Sequence, residues 1–264
     1  MLKKSLLMLS VMSMATAASA SDITNPFYLA QDGQFGSVTS VETARVVAKN
    51  VQDYSKSNPI IATEEVRYGL TDTVALKMSF GNVWDKWKAN WTDVPYETEK
   101  DNENIQWSAG LGWNVLSGPT RLQLSAEYGQ NRLQNFDGEY KYVAGQAKVG
   151  YQFKTFLPYV SGGVEIPVGQ KSGIKGIAGD KFMYSAKAGV YQGKCEVWAL
   201  DTGVRMTYDE NTEARLVTAE AEASVYLTPN AAIGVYGTYA LDGKAKYDTD
   251  IYEKSVGARL RLFF

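Results

Sequence analysis

The stretch Val256-Gly257-Ala258-Arg259-Leu260-Arg261-Leu262-Phe263-Phe264 decides the fold of this 264-residue chain. Val256, Ala258, Leu260, Leu262 and Phe264 share one parity, while Gly257, Arg259 and Arg261 hold the other. Successive side chains of a strand point to opposite faces. The segment is therefore a strand with one apolar face and one face of arginine and glycine. Chain ends are usually frayed, polar and exposed, yet this one closes on an aromatic ring at the last position.

The same alternation runs back through the chain from about residue 60, in segments of roughly ten residues. Val74, Leu76, Met78 and Phe80 alternate with Ala75, Lys77, Ser79 and Gly81. Ile105 to Val115, Leu122 to Tyr128, and the stretches 142–153, 156–166, 181–191, 196–208, 215–227 and 231–241 repeat the pattern. In 215–227 the apolar set Val217, Ala219, Ala221, Ala223 and Val225 opposes Thr218, Glu220, Glu222 and Ser224. The second face is too polar for a core, so it must meet water. Connections alternate in length. Tight turns fall at Gly69–Asp72, Leu116–Pro119, 154–155, 192–194 and 228–230. Longer polar stretches fall at 48–59, 84–104, 131–138, 167–180, 209–214 and 242–251.

The C-terminal strand and its final Phe264 resemble the C-terminal signal of Gram-negative outer-membrane β-barrels, which the barrel-assembly machinery reads. The resemblance implies an all-β protein, a transmembrane antiparallel up-and-down β-barrel of about 12 strands, with lipid and lipopolysaccharide outside it. Strand 1, within 34–47, is the least marked, because Phe35 and Val41 share parity with Ser37 and Thr39. Without it the count falls to ten. An even count puts both termini in the periplasm and the long connections outside. The N-terminus agrees with export. Lys3 and Lys4 precede the apolar run 6–14, and Ala18-Ser19-Ala20 offers a small-residue cleavage site. The expected organisation is a signal peptide over 1–20, a periplasmic lead-in over 21–33, and an outer-membrane barrel over 34–264. Phe80, Trp107, Tyr128, Phe182, Tyr208 and Tyr239 would form one aromatic girdle, and Trp113, Phe153 and Phe264 the other. A soluble sandwich or lipocalin-like barrel would instead use these aromatics as core, and would leave the terminal phenylalanine without a reason.

Composition narrows the chemistry. Histidine is absent, which removes histidine-based triads and typical zinc sites. Outer-membrane phospholipases and omptin-type proteases resemble this architecture, but both use a catalytic histidine. No cofactor motif is present, since the glycine-rich 173–179 lacks the spacing and βαβ context of a phosphate loop. The signal peptide carries two lysines and no acid, so the mature chain is four charges negative, which argues against a nucleic-acid partner. No apolar run reaches the roughly 18 residues of a membrane helix. The mean hydropathy of −0.26 suits a barrel in which only alternate residues face lipid. Cys195 stands alone and forms no intramolecular disulfide.

The faces opposite the apolar ones would line the lumen. They carry Arg67, Lys77, Arg121, Lys148, Lys187, Arg205, Arg259 and Arg261, together with Glu65, Glu127, Glu165, Asp201, Glu220 and Glu222. Enclosed charges must be paired or hydrated. Two arrangements satisfy that. The charges pair across the lumen and plug it, with Arg205 and Glu220 or Glu222 as partners, or they sit on opposing walls of an aqueous path and sort solutes by charge. The leading function is a passive pore for small polar or charged solutes. The alternative is a non-conducting structural or surface-interaction barrel acting through loops such as 84–104 and 167–180. In 84–104, Trp84, Trp87 and Trp91 read as packing on the rim, contact with lipopolysaccharide, or a sugar platform. The acidic run Glu97 to Glu103 reads as a solvated loop. Glu220 and Glu222 would lie about 7 Å apart on one strand, a spacing that glycosidases use, but no sugar cleft is evident. The chain reads as a non-enzyme.

Overall fold

The computed structural model describes residues 22–50, 54–91, 94–133, 138–171, 181–194, 196–246 and 248–264. The signal-peptide reading over 1–20, the glycine-rich 173–179 and Cys195 lie outside them. Thirteen strands follow in order: β1 (Phe35–Lys49), β2 (Tyr54–Ser57), β3 (Ile60–Gly69), β4 (Val74–Trp91), β5 (Val94–Ser117), β6 (Thr120–Leu133), β7 (Gly138–Tyr151), β8 (Phe156–Lys171), β9 (Met183–Lys194), β10 (Trp198–Asp209), β11 (Ala214–Thr228), β12 (Ala231–Ala245) and β13 (Thr249–Phe263). Each pairs antiparallel with its neighbours, and β1 closes the ring against β13 from Gly36↔Phe263 to Lys49↔Asp250. At the seam, Phe264 N donates to Phe35 O at 2.7 Å and Phe35 N to Phe264 O at 3.0 Å.

The thirteen strands fill twelve barrel positions, because β2 and β3 are two pieces of one. Both pair with β1 on one side and β4 on the other. Asn58 and Pro59 part them. Proline has no N–H to give to a ladder. The Asp85 carboxylate repairs the break, accepting from Ser57 Oγ at 2.6 Å and from Asn58 N at 3.0 Å. The barrel is thus a closed, antiparallel, up-and-down ring of twelve, with strand 1 in place.

The alternation read from the sequence maps onto the two faces. Leu76, Met78, Phe80, Val204, Val225, Val235 and Val256 are exposed on the outside. So are Phe80, Tyr128, Phe182 and Tyr239 toward the loop end, and Trp113 and Phe153 toward the turn end. Along the turn end Phe153 stacks on Phe156 at 4.7 Å between centroids and meets Tyr151 edge-on at 4.9 Å. Short turns at 70–73, 118–119, 152–155 and 229–230 share one end of the ring.

Several of the long connections differ from expectation, and two show it most clearly. The stretch 84–104 is not a loop but a hairpin, for β4 and β5 stay paired from Trp84↔Glu103 to Ala89↔Thr98. The acidic run Glu97 to Glu103 therefore lies on β5. In 48–59, β1 continues to Lys49 and β2 pairs with its end. Strand pairing there needs only alternating backbone bonds, which polar side chains on both faces do not oppose once the hairpin stands clear of the apolar band.

Candidate functional site: the lumen and the segment that closes it

At the turn end the lumen is occupied by the chain's own residues 22–33. The segment folds back on itself before entering β1. Asn25 N donates to Asp22 O and Tyr28 N to Asn25 O, both at 2.9 Å, and the Asn25 side chain accepts from Phe27 N at 2.9 Å. An asparagine that bonds the backbone two residues on makes such a turn locally stable. Gly33, at φ 69°, turns the chain into β1.

Wall side chains take the carbonyls of the next three residues. Lys148 Nζ donates to Pro26 O at 2.6 Å. Gln123 Nε2 and Asn114 Nδ2 donate to Phe27 O at 3.1 and 3.3 Å. Arg67 Nη1 reaches Tyr28 O at 3.4 Å. At the segment's start, the Asp22 carboxylate accepts from Tyr191 Oη at 2.5 Å and Tyr226 Oη at 2.7 Å. Thr24 Oγ1 shares the same cluster. Apolar packing completes the seal. Phe27, 3% exposed, is buried among Leu157, Tyr159, Tyr191 and Ala199. Ile23 and Ala30 are buried with Val38, Ala75, Ala232 and Phe263. The wall makes room with glycine. A Cβ on Gly69 would collide with the Gln31 carbonyl, and one on Gly112 would press the Leu29 side chain.

Beside the plug and above it the inner wall carries ion pairs. Arg259 and Arg261 converge on the two oxygens of Glu222 at 2.5 and 2.6 Å. Lys187 stands between Asp201 (3.7 Å) and Glu220 (3.0 Å), and Arg205 meets Glu220 at 2.7 Å. Tyr159 Oη donates to Asp201 at 2.8 Å. On the other side, Glu65 accepts from Arg67 at 2.5 Å and Lys77 at 3.0 Å, while Lys77 lies 3.7 Å from Glu127. Glu165 accepts from Tyr140 Oη at 2.7 Å. The structure thus gathers Lys187, Asp201, Arg205 and Glu220 into one network and Glu222, Arg259 and Arg261 into a second. It places Arg67 and Lys148 against the plug and Glu127 and Glu165 farther up. Arg121 sits at the turn end, with its Nε buried and unpartnered among the described residues. Phe264 lies at the seam with its neighbour Phe263 turned inward and fully buried.

The ion pairs of the inner wall join residues of one strand or of strands one or two positions apart. The charges run along the wall and do not cross the lumen. A polar cavity of about 290 Å³ remains beside them, lined by Lys77, Ser125, Glu127, Gln146, Glu165 and Thr207 among others. Glu220 and Glu222, the carboxylates with glycosidase-like spacing, are each held by two cations.

Comparison with solved structures follows from this geometry. An outer-membrane channel from Pseudomonas putida F1 superposes with a TM-score of 0.68 at 13% identity, covering 91% of this chain and 98% of that one. The chain has the fold of a Gram-negative outer-membrane β-barrel. The translocator domain of an autotransporter from Neisseria meningitidis gives 0.56 at 13% identity over 90% and 91% of the two chains. A toluene transporter from Ralstonia pickettii gives 0.50 at 10% identity over 93% and 94%. No family model and no curated protein matches the sequence.

The sequence reading missed the plug and the residues that hold it, notably Asn114, Tyr191 and Tyr226. One signal was available. Ile23, Phe27, Tyr28, Leu29 and Ala30 are dense apolar positions in a segment otherwise read as a periplasmic lead-in.

Proposed function

We propose that this protein is an outer-membrane channel for small polar or charged solutes, closed at the turn end by its own residues 22–33. The observation that carries the reading is the course of the ion pairs. They follow the wall, so charge lines the lumen without filling it, and the obstruction is a separate piece of chain. The toluene transporter it resembles in fold carries an apolar solute by its description. The wall here offers arginine, lysine, aspartate and glutamate, which favours polar cargo. In this reading the barrel lies in the outer membrane with both ends periplasmic, its lipid face against lipid and lipopolysaccharide. Phe264 serves as the mark for the assembly machinery.

The test is single-channel recording of residues 21–264 refolded into a planar bilayer. Discrete steps are expected, with a reversal potential that moves toward anions when Glu127 and Glu165 are changed to Gln. Silence, both from this protein and from a folded variant lacking residues 22–33, would overturn the reading. That result would favour a non-conducting structural barrel, for which the many bonds holding the plug are the supporting observation.

A further inference from the structure

The outward face of the barrel changes character at one place on its loop-end rim. Arg45 of β1 lies directly opposite Lys254 of β13 in the ladder. Lys254 in turn faces Tyr239, which is 63% exposed on the apolar outer surface. Both cations are exposed and share the parity of Val41 and Val256. Two residues along β1, Val47 pairs with Lys56, bringing a third cation to the same face.

Elsewhere on the rim, several charges are matched. Arg215 meets Asp242 at 2.7 Å, Lys141 meets Glu139 at 2.6 Å, and Lys244 meets Asp250 at 2.6 Å. Arg45, Lys254 and Lys56 make no ion pair with a described residue. Like charges directly opposite in an antiparallel pair sit about 5 Å apart and repel. Such a pair calls for an anion from outside the chain.

Height on the barrel says what kind. Phe264 lies at the turn-end edge of the apolar face. Lys254 is ten residues away, about 33 Å along a strand. At a tilt of about 40° that is a rise of about 25 Å, the height of the lipid-facing band of such barrels. The cations therefore stand where acyl chains end and headgroups begin. Immediately below them, Val256 and Val235 are 54% and 60% exposed.

We propose that Arg45, Lys254 and Lys56 bind the phosphate groups of a lipopolysaccharide-type glycolipid whose acyl chains lie over Val256 and Val235. The inference rests on the outer-membrane reading above. A small free anion would use the cations alone, whereas a phosphorylated lipid uses the cations and the apolar surface under them together.

The experiment refolds the protein into phosphatidylcholine vesicles containing lipopolysaccharide, extracts it with detergent and measures the glycolipid retained. Heat-modifiable gel migration reports barrel formation separately, so failure to fold into the bilayer would count against the outer-membrane reading itself. The wild-type chain is expected to retain the glycolipid, and Lys141→Gln to retain it equally. The Arg45→Gln/Lys254→Gln variant is expected to bind about thirtyfold more weakly, since each cation near an anionic lipid surface contributes about a factor of five. Dephosphorylated glycolipid should not be retained by the wild-type chain, a result that stands even if the double variant fails to fold. Equal retention by the folded double variant, or retention of dephosphorylated glycolipid, would overturn the proposal. Release by millimolar inorganic phosphate would also overturn it, in favour of a free-anion site.

Discussion

The two ends of the lumen are built from the same strands but solve opposite problems. At the turn end the wall offers glycine, tyrosine and amide side chains with Lys148 and Arg67 as donors to the plug, and residues 22–33 fill the space with Ile23, Phe27 and Ala30 buried. Toward the loop end the wall offers Lys77, Glu127, Glu165 and Thr207 around an open cavity. Closure comes from apolar packing plus bonds to backbone carbonyls, while charge is kept on the wall. The difference teaches that an inventory of lumen charges does not say whether a barrel of this size is open. What matters is whether a piece of chain finds glycines to lie against.

The comparison can be broken most forcefully at Phe27. Phe27→Ala should weaken docking of the plug by about 3–5 kcal/mol, the usual loss for a buried phenylalanine. Limited proteolysis should then cut within 22–33 while the barrel keeps its heat-modifiable migration. Resistance equal to wild type would mean that the segment is held by its polar bonds alone. Glu222→Ala should cost about 3 kcal/mol in denaturant unfolding, because Arg259 and Arg261 lose their shared carboxylate in a largely buried setting. Unlike Phe27→Ala it should leave the plug protected from protease. Tyr191→Phe removes one of two phenols on Asp22 and should loosen the segment by about 1.5–3 kcal/mol, as hydrogen bonds to charged groups are worth. Hydrogen exchange at Thr24 and Asn25 would read it. The smallest effect belongs to the upper cavity. Glu127→Gln should shift ion selectivity while stability stays within about 0.5 kcal/mol of wild type, and a larger stability loss would make that region structural.

Much of this was legible in the chain. The alternation at Val256 to Phe264, and at Val74 to Phe80, fixes strands with two unlike faces, and the turn signals fix their order. The weakness of strand 1 in the sequence has a physical reason. Ser37 and Thr39 share the outward face with Glu64, and both hydroxyls donate to its carboxylate. Polar residues there answer a carboxylate on the adjacent strand, which no local pattern shows. The hairpin over 84–104 was hidden because Trp84 and Trp87 fall on opposite parity and break the period of two. The break at Pro59 was hidden because its repair comes from Asp85 on another strand. Among the site residues, type and face could be read but partners could not. Glu222 serves Arg259 and Arg261 from a strand two positions away, and only the register of both against β12 brings them within reach. The plug depends on contacts between residues about a hundred or more positions apart, such as Phe27 with Gln123 and Asp22 with Tyr226.

The most direct measurement of the central claim is single-channel conductance of residues 21–264 compared with the same barrel lacking residues 22–33, each shown to be folded by heat-modifiable migration. The account predicts small or infrequent steps from the intact chain and larger, sustained steps from the shortened one, with the selectivity of the charged wall preserved. Identical conductance from both, or silence from both, would contradict it.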